Sequence, residues 1–593
     1  MLARGGAAAI IRPMSSGHLV HLAPVDIAII ALYFALVLVI GFYLKHRAKT
    51  GEDFFLAGRD LSAWIAGLSF LSANLGALEL MGWAASAYEY GILATHWYWI
   101  GAIPAMVFLG LVMMPFYYIS RTHSVPGYLK LRFGESSRLL AAVSFGVMTV
   151  LVSGINMYAM ALVMQVVLGW DIHFSIWVSA ITVAIYVALG GLRSAIFNEV
   201  LQFVLIWAGA LLIPILGLIE VGGWSKMEAR IAHNAGPAYL HLWSTLGSFR
   251  DNPMGINWVG IVFGLGFVVS FGYWTTDFLV VQRLLTAKDL RAAKMAPIIG
   301  AAFKMFVPLI VILPGLLGLA VLPYKLVGAN AAGAATHNYN DVLPLMLARY
   351  CGPGLLGLGI VALIAGFMSG MAGNVSAFAT VWTWDIYKPL MNRGASDRHC
   401  VAMGRWCTVI GVIVSIGTAY LVMDFRSIMD YVQALFSFFI APLFGTVLLG
   451  MLWKRCTAAG GFWGLLAGMT TSIGMWLWVR VQPSALAYVA LSRHAQAMAQ
   501  DMFQGLWSWC ICVAVTVAVS YLTRPKAESE LAGLVWGVKP ALAAAAAGAG
   551  GGEAATLATA AVLAEENVAW WAQPWFWAVV VMAVFVVLNV IFW

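Results

Sequence analysis

Residues 72–76 read Ser-Ala-Asn-Leu-Gly, and residues 270–276 read Ser-Phe-Gly-Tyr-Trp-Thr-Thr. Each stretch places small and polar residues in the middle of an apolar run that is long enough to cross a bilayer. The two runs lie five spans apart, so they cross the membrane in opposite orientations. A helix interrupted at the same place in two inverted halves predicts the midplane binding site of a secondary transporter. Glycine in such runs can also serve close helix packing alone, and a single interrupted run would favour that alternative.

The composition around these stretches is that of a membrane protein. Of the 593 residues, 62% are hydrophobic and only 10% are charged, compared with about 25% charged in soluble domains. Lipid offers the backbone no hydrogen-bonding partners, so the spans must be helices. The sequence therefore predicts an all-α polytopic membrane protein with about fourteen spans, at residues 26–45, 62–83, 97–118, 139–167, 173–190, 197–221, 255–282, 295–323, 352–380, 401–423, 429–452, 459–480, 505–522 and 573–592.

The distribution of basic residues predicts the orientation of these spans. With the N-terminus outside, the inward loops hold 22 of the 33 Lys and Arg residues and the outward segments hold 10. This asymmetry follows the positive-inside rule and an even number of crossings. We therefore expect a multi-pass protein of the plasma (inner) membrane with both termini outward. The net charge of +8 reflects this topology and does not indicate nucleic-acid binding, because the basic residues are scattered over alternate loops.

The chain reads as one transmembrane unit with an appended helix. The predicted segments are an outward tail (1–25), a first helix with its inward loop (26–61), a five-helix unit (62–221), a second five-helix unit (255–452), two further helices with an inward loop (453–539), an Ala/Gly-rich linker (540–572) and a C-terminal helix (573–593). The six cysteines form no CxxC motif, so disulfides and a metal cluster are not expected. No catalytic Ser/His/Asp set or phosphate-binding loop is recognisable, which argues against an enzyme.

Four charged residues fall at membrane depth, where a charge costs roughly 2.5–3.5 kcal/mol and needs a reason. Glu79 and Lys304 are expected either to form a pair that holds two helices together or to line a wet cavity and bind solute. Glu199 starts the sixth span and is either an interfacial charge or a station for a cation that leaves inward. Asp277 is expected to be a structural partner at a helix end.

Aromatic and amide side chains extend this candidate site. Tyr273 and Trp274 lie mid-span, where an interfacial aromatic belt is not expected, so their rings are candidates to stack on a solute. Tyr98 lies in Trp97-Tyr98-Trp99, which can be a belt or part of the site. Gln433 adds an uncharged hydrogen-bonding group at the start of the eleventh span.

Several ordered motifs resemble the sodium/solute symporter family, most closely its sodium–sugar (glucose/galactose) branch. The resemblance covers roughly residues 25–540, and its motifs are Asp53-Phe-Phe-Leu-Ala-Gly-Arg59, Gly190-Gly-Leu192, Tyr273-Trp274 with Gln282-Arg283, Asp385-Ile-Tyr387, Lys454-Arg455 and Gly460-Gly-Phe-Trp-Gly464. It implies the LeuT-type fold, in which two inverted five-helix repeats are flanked by further helices. The expected partners are a small polar solute, sodium and membrane lipid.

The resemblance also implies roles for individual residues. Positions that contact sugar in the family are occupied here by Glu79, Tyr98, Ser270, Lys304 and Gln433. Tyr273 falls on the inner-gate tyrosine, and Asn74 falls on the asparagine that holds it. The sodium ligands map to backbone carbonyls of Ser72, Leu75 and Gly366 and to the hydroxyl of Ser369, and Glu199 falls on an aspartate of the cation path.

Two departures from the family pattern bear on coupling and specificity. Glycine stands at position 370, where the family has a second hydroxyl ligand for sodium. The sugar branch has an amide or imidazole at the position of Glu79 and a glutamate at that of Tyr98. The family resemblance makes sodium-driven symport of a sugar or polyol by alternating access the first hypothesis, and the two departures keep its alternatives open. The alternatives are a sodium- or proton-driven symporter of an amino acid or organic acid, and a non-transporting solute sensor.

Overall fold

The computed structural model describes residues 22–45, 51–322, 339–423, 428–538 and 569–593, so most of the predicted outward tail and of the Ala/Gly-rich linker lies outside the described residues. Within the described ranges the chain is built from helices, joined by π and 3-10 turns. The α-helices are α1 (Pro24–Lys45), α2 (Gly51–Leu56), α3 (Ala63–Asn74), α4 (Ala77–Tyr90), α5 (Ile103–Phe108), α6 (Met114–Ile119), α7 (Val125–Phe133), α8 (Glu135–Leu168), α9 (Ile172–Ala210), α10 (Leu212–Val221), α11 (Trp224–Asn234), α12 (Phe271–Thr276), α13 (Phe278–Leu284), α14 (Leu290–Lys304), α15 (Pro308–Val311), α16 (Leu313–Val321), α17 (Val342–Tyr350), α18 (Leu355–Val381), α19 (Lys388–Leu390), α20 (Asp397–Val422), α21 (Ile428–Leu435), α22 (Ala441–Leu452), α23 (Ala458–Val481), α24 (Leu486–Val489), α25 (Ala497–Leu522) and α26 (Pro574–Ile591).

The described residues contain nine helices that are long and apolar enough to cross a membrane, or eleven if each of two bent helix pairs is one span. The all-helical polytopic prediction is confirmed, but the count of fourteen is not. The predicted first span coincides with α1, whose apolar part, Pro24–Ile40, is shorter than the nine. The second predicted span is divided at a break, and its C-terminal half continues through a 3-10 segment (Gly91–Trp97) and a π segment (Tyr98–Ala102) into the third.

The break in the second predicted span lies where the sequence places it. Helix α3 ends at Asn74, and α4 begins at Ala77. Leu75 leaves the helical region with ψ 54°, and Gly76 is extended with φ −72° and ψ 173°. The amide of Leu75 donates to the carbonyls of Leu71 and Ser72, which satisfies two of the carbonyls left open at a helix C-terminus.

The break in the seventh predicted span lies later than the sequence analysis places it. Residues 270–276 are helical, because a π segment (Gly260–Ser270) runs directly into α12. The chain breaks at Asp277, and the flanking segments bend by 53°. The Asp277 side chain accepts a hydrogen bond of 2.9 Å from the amide of Leu279 and so caps α13. The interpretation of Asp277 as a helix-end partner is confirmed.

A second correction concerns the fifth and sixth predicted spans. Helix α9 runs without a break from Ile172 to Ala210, so residues 191–196, predicted as an inward loop, are helical. Glycine at positions 190 and 191 lowers helix propensity, but no proline interrupts the backbone hydrogen bonds there.

The long helices α8, α9 and α18 form the interior on which the broken helix packs. Helix α18 contacts α1, α3, α8, α9 and α20, and α14 contacts α3, α5 and α26. The α3–α14 contact depends on Gly67, where a Cβ would lie 2.6 Å from the carbonyl oxygen of Ala296. This close approach places Lys304, at the end of α14, beside the break that follows α3.

Contacts between chain ends and loops show which segments share a face of the molecule. The residues that follow α26 are hydrogen-bonded to the segment after α11. The amide of Leu242 donates to the carbonyl of Phe592, and the amide of Trp243 donates to the carbonyl of Trp593. At the opposite end of α26, the Arg291 guanidinium donates to the carbonyl of Ala572. Residues 242–243 were predicted outward and Arg291 inward, so α26 crosses between the two predicted faces.

Candidate substrate and cation site

One central cavity lies at the level of both helix breaks and encloses about 850 Å³ of space free of protein atoms, which includes space open to solvent. The structure brings all seven predicted solute-binding residues and the predicted gate support to its wall. These residues are Glu79, Tyr98, Ser270, Tyr273, Trp274, Lys304, Gln433 and Asn74. They come from both broken helices, from the turn before α5, from α14 and from α21. Residues up to about 360 positions apart in sequence therefore converge on one space.

An ion pair between α4 and α14 forms the polar centre of the cavity wall. The ammonium of Lys304 lies 2.7 Å from Oε1 of Glu79 and also donates to the Asn74 side chain. The hydroxyl of Tyr98 donates to Oε1 of Glu79 at 2.9 Å, and the indole of Trp83 donates to Oε2 at 3.0 Å. The pair is both a helix-to-helix contact and part of the cavity wall, so the expected pairing is observed, while the binding of solute by these two residues stays a prediction.

Aromatic rings cover the ammonium group. Lys304 Nζ lies 4.8 Å from the centre of the Tyr98 ring and 5.1 Å from that of Trp274, which is within cation–π range. The exposed fraction of the Lys304 side chain is 2% and that of Glu79 is 12%. The carboxylate is therefore the more accessible partner of the pair.

A hydrogen bond in the cavity wall connects the two broken helices. The Asn74 amide donates to the hydroxyl of Tyr273 at 2.9 Å. The Tyr273 ring packs on Phe436 with a centroid distance of 5.0 Å and on Trp274 at 5.1 Å. Tyr273 thus connects α3, α12 and the π segment after α21.

The side chain of Gln433 places a hydrogen-bond acceptor in the cavity wall. Its side chain is 1% exposed, and its Oε1 has no hydrogen-bond partner among the described residues. A buried amide oxygen without a partner is costly, so a donor from a bound molecule would stabilise it. Ser270, also buried, adds a hydroxyl to the same wall.

The predicted sodium ligands lie together beside the break that follows α3. Ser72 and Ser369 are fully buried, their hydroxyl oxygens are 3.1 Å apart, and the Ser369 hydroxyl donates to the Ser72 carbonyl at 2.9 Å. A Cβ on Gly366 would lie 3.0 Å from the Leu75 carbonyl oxygen, so glycine allows α18 to approach this carbonyl. A set of neutral oxygens suits a hard cation, and these residues fit sodium.

Glu199 lies on a separate buried network and not among the described residues of the cavity wall. Its carboxylate accepts from Nη2 of Arg283 at 2.6 Å and from the hydroxyl of Ser69, and the Glu199 and Arg283 side chains are both fully buried. Arg283 also donates to Gln282, whose amide donates to Thr380 at 2.9 Å. The predicted role of Glu199 in a cation path stays a prediction, and the structure assigns it an ion-pair partner.

The sequence analysis missed several residues of the cavity wall, and three of them carry polar groups that bear on the site: Trp83, Asn156 and Asn374. Trp83 stands four residues after Glu79 on α4, a spacing that places side chains on one helix face. Asn156 and Asn374 are polar residues in the middle of α8 and α18 and line the cavity. Uncharged polar residues at membrane depth indicate a site less strongly than charged residues do, so the sequence did not single out Asn156 and Asn374.

Comparisons with known proteins agree with this architecture. The model of the family described as "Sodium:solute symporter family" matches residues 54–468. The sodium/glucose cotransporter 4 of Danio rerio is 29% identical over 471 residues, which are 76% of this chain and 71% of that protein. The sodium/mannose cotransporter SLC5A10 of Bos taurus is 30% identical over 473 residues (76% and 78%). The sodium/myo-inositol cotransporter of Homo sapiens is 28% identical over 474 residues (75% and 65%).

A solved structure shares the fold. A Na+-coupled sialic acid symporter in a substrate-bound outward-open state aligns with a TM-score of 0.70 at 22% identity, over 85% of this chain and 98% of that one. The predicted LeuT-type architecture is thereby supported as an overall fold, while the repeat boundaries stay a prediction. The matched family and its relatives are transporters and not enzymes. Since the family model covers more than half of the chain, this protein belongs to the sodium:solute symporter family.

Proposed function

We propose that this protein is a secondary active symporter that couples an inward sodium gradient to the uptake of a neutral sugar or polyol. The observation that carries the proposal is the self-neutralised pair of Glu79 and Lys304 in the cavity wall. Lys304 is the only Lys or Arg among the described residues that line the cavity, and it is already paired. An organic anion would have to compete with Glu79 for this ammonium, whereas a neutral polyol would not.

The other wall groups suit a molecule with many hydroxyls. A hydroxyl both donates and accepts, so it can donate to Glu79 or Gln433 and accept from Lys304. Flat rings such as Trp274 and Tyr273 can lie against the apolar face of a sugar ring. The relatives that carry glucose, mannose and myo-inositol with sodium support the same solute class.

Alternating access requires helices that can bend, and the two helix breaks are the places where we expect this bending. Solute bound at the cavity would contact Asn74 beside the first break and Tyr273 just before the second. Sodium, held by carbonyls and hydroxyls of α3 and α18, would tie the first broken helix to α18. By linkage, sodium and solute should tighten each other's binding by the same factor.

The orientation in the membrane belongs to the same proposal. Contacts at the start of α1 and at the end of α26 support the placement of both termini on one face. The Asp26 carboxylate, on α1, accepts from the amides of Gly354 and Gly357 at 2.7 Å. The carbonyl of Phe592, after α26, accepts from the amide of Leu242. These partners all lie near loops that the basic-residue asymmetry predicts to be outward. We therefore place the protein in the plasma (inner) membrane with both termini outward.

Proton coupling is the second candidate, and two observations favour it. Position 370 carries no hydroxyl, and the Glu79 carboxylate is accessible from the cavity. In this case the Glu79 carboxylate would take up and release the coupling proton, and Lys304 would keep the Glu79 side chain in position.

The test is uptake of labelled glucose, galactose, mannose and myo-inositol into proteoliposomes with an inward sodium gradient, an inward proton gradient or none. Accumulation that depends on sodium in wild type, and in Glu79→Gln at whatever reduced level this variant keeps, supports the first candidate. Accumulation that depends on protons and is lost in Glu79→Gln supports the second. No gradient-driven accumulation of any of these solutes would reject sugar and polyol symport.

A further inference from the structure

The space beside Gly370 is filled by an amide oxygen from another helix. A Cβ built on Gly370 would lie 3.3 Å from Oδ1 of Asn156, on α8, and 3.1 Å from the Cα of Gly76. A Cβ on Gly76 would lie 2.7 Å from the same Oδ1. The Asn156 oxygen thus occupies the gap between the break after α3 and the residue that follows Ser369.

The amide of Asn156 is held so that its oxygen points into this gap. Its Nδ2 donates to the carbonyl of Val152 in its own helix at 3.3 Å. Its Oδ1 accepts from the amide of Leu78 at 3.4 Å, longer than the usual 2.9–3.0 Å or so. Asn156 is 3% exposed. A carbonyl-type oxygen has two lone pairs, so Oδ1 keeps accepting capacity in a buried place.

We propose that Asn156 Oδ1 is a ligand of the coupling sodium ion and replaces the hydroxyl that position 370 lacks. The inference rests on the proposed sodium coupling. An amide oxygen is a neutral, hard ligand of the same class as the carbonyls of Ser72 and Leu75. The missing hydroxyl at Gly370 and the presence of Asn156 then become one adaptation, because glycine is what leaves room for the amide.

A purely structural role for Asn156 makes a different prediction. Gly76 precedes α4 and has no side chain to cap it, and the Leu78 amide is one of the open donors at that helix N-terminus. If Asn156 only caps α4, its loss lowers stability equally with and without sodium. If Asn156 binds sodium, its loss removes the part of the stability that sodium adds.

The experiment measures thermal unfolding of the purified full-length protein in detergent across a sodium titration, with choline chloride holding ionic strength constant. We expect sodium to stabilise wild type. In Asn156→Ala the sodium requirement, which is the sodium concentration that produces a chosen rise in melting temperature, should increase by about tenfold or more, the equivalent of about 1.4 kcal/mol. The double variant Asn156→Ala/Gly370→Ser, which restores an oxygen in the gap, should recover most of this loss.

Two further variants keep the test decisive. Ser153→Ala, one turn away on α8, removes a buried hydroxyl that donates to the carbonyl of Thr149 at 2.8 Å, and it should leave the sodium requirement unchanged. Asn156→Asp keeps the cap and adds a charge, so at pH 8 it should lower the sodium requirement, even if Asn156→Ala fails to fold.

Two outcomes overturn the inference in distinguishable ways. If wild type, Asn156→Ala and Asn156→Asp show the same sodium requirement, Asn156 is a cap only, and sodium coupling stands. If sodium stabilises wild type no more than choline does, sodium coupling and the proposed ligand fall together.

Discussion

The ammonium of Lys304 lies 2.7 Å from Oε1 of Glu79 in the wall of the central cavity, although the two residues are 225 positions apart in sequence. Helix α14 ends at this lysine, and α4 begins two residues before the glutamate. The pair therefore joins the first broken helix to α14 at the place where we propose that solute binds.

Replacing Lys304 by Met should reduce both stability and uptake. The substitution leaves the Glu79 carboxylate without its cation in a site that is 12% exposed. Loss of one partner of a buried pair costs about 3–5 kcal/mol, and each 1.4 kcal/mol or so in binding is a factor of ten. We expect uptake to fall by more than about tenfold and the melting temperature to drop, as measured in proteoliposomes and by thermal unfolding.

The matched control for this prediction is Lys304→Met combined with Glu79→Gln. With no charge left unpaired, the melting temperature should recover, while uptake should stay low because the solute still lacks its polar partners. Wild-type uptake by Lys304→Met alone would show that the pair has no part in transport.

Removing Arg283 should destabilise the protein more than removing a surface arginine. Arg283 and Glu199 are both fully buried and 2.6 Å apart, so Arg283→Met leaves a buried carboxylate and should cost about 3–5 kcal/mol. The control is Arg349→Met, because the Arg349–Glu220 pair is similarly close, at 2.5 Å, but its side chains are 33% and 42% exposed, and exposed pairs contribute about 0–1 kcal/mol. Equal shifts of melting temperature for the two variants would contradict the prediction.

Acidification should destabilise the protein partly through His123, in the loop between α6 and α7. Its ring stacks on Trp384 with a centroid distance of 4.3 Å. Burial, together with the charges of Arg59 and Lys388, lowers the pKa of His123 from 6.5 to about 4, against a smaller opposing effect of Asp397. Between these values the unfolded chain binds a proton that the folded protein excludes, so stability falls as the pH drops from 6.5 to about 4.

The measurement compares wild type with His123→Gln at pH 7 and at pH 5. Carboxylates titrate in both proteins, so the difference in melting-temperature shift isolates the histidine. Wild type should lose more stability than the variant on acidification. The same loss in both would show that His123 is protonated as readily in the folded protein as in the unfolded chain.

Adding a methyl group at Gly67 should separate α3 from α14. The new Cβ would lie 2.6 Å from the carbonyl oxygen of Ala296, which is backbone and cannot rotate away. We expect Gly67→Ala to lower the melting temperature and to weaken solute uptake, because α14 carries Lys304. Gly417→Ala, on α20, is the control, since nothing lies within 4 Å of its Cβ, and it should behave like wild type in both assays.

Local sequence patterns were sufficient to locate much of the site. Glu79, Lys304 and Tyr273 were identified because a charge or a polar aromatic group at membrane depth has a large cost and needs a partner. The break at Leu75 and Gly76 was predictable because small and polar residues in the middle of a membrane span are typical of the interrupted helices that line transporter sites. The second break was placed too early, because the glycine and hydroxyl residues before Asp277 stay helical, and the residue that ends the helix is the one that caps the next.

Local composition and spacing were enough to establish that this chain is a helical membrane protein, which family it resembles and which polar residues need an explanation. Which residues meet depends instead on how the helices pack. The pairing of Glu199 with Arg283 and the insertion of the Asn156 oxygen beside Gly370 depend on how α8, α9, α13 and α18 pack. Contacts between helices are set by the fit of whole surfaces, and a single helix sequence carries no record of the partner that fills the space beside its glycines.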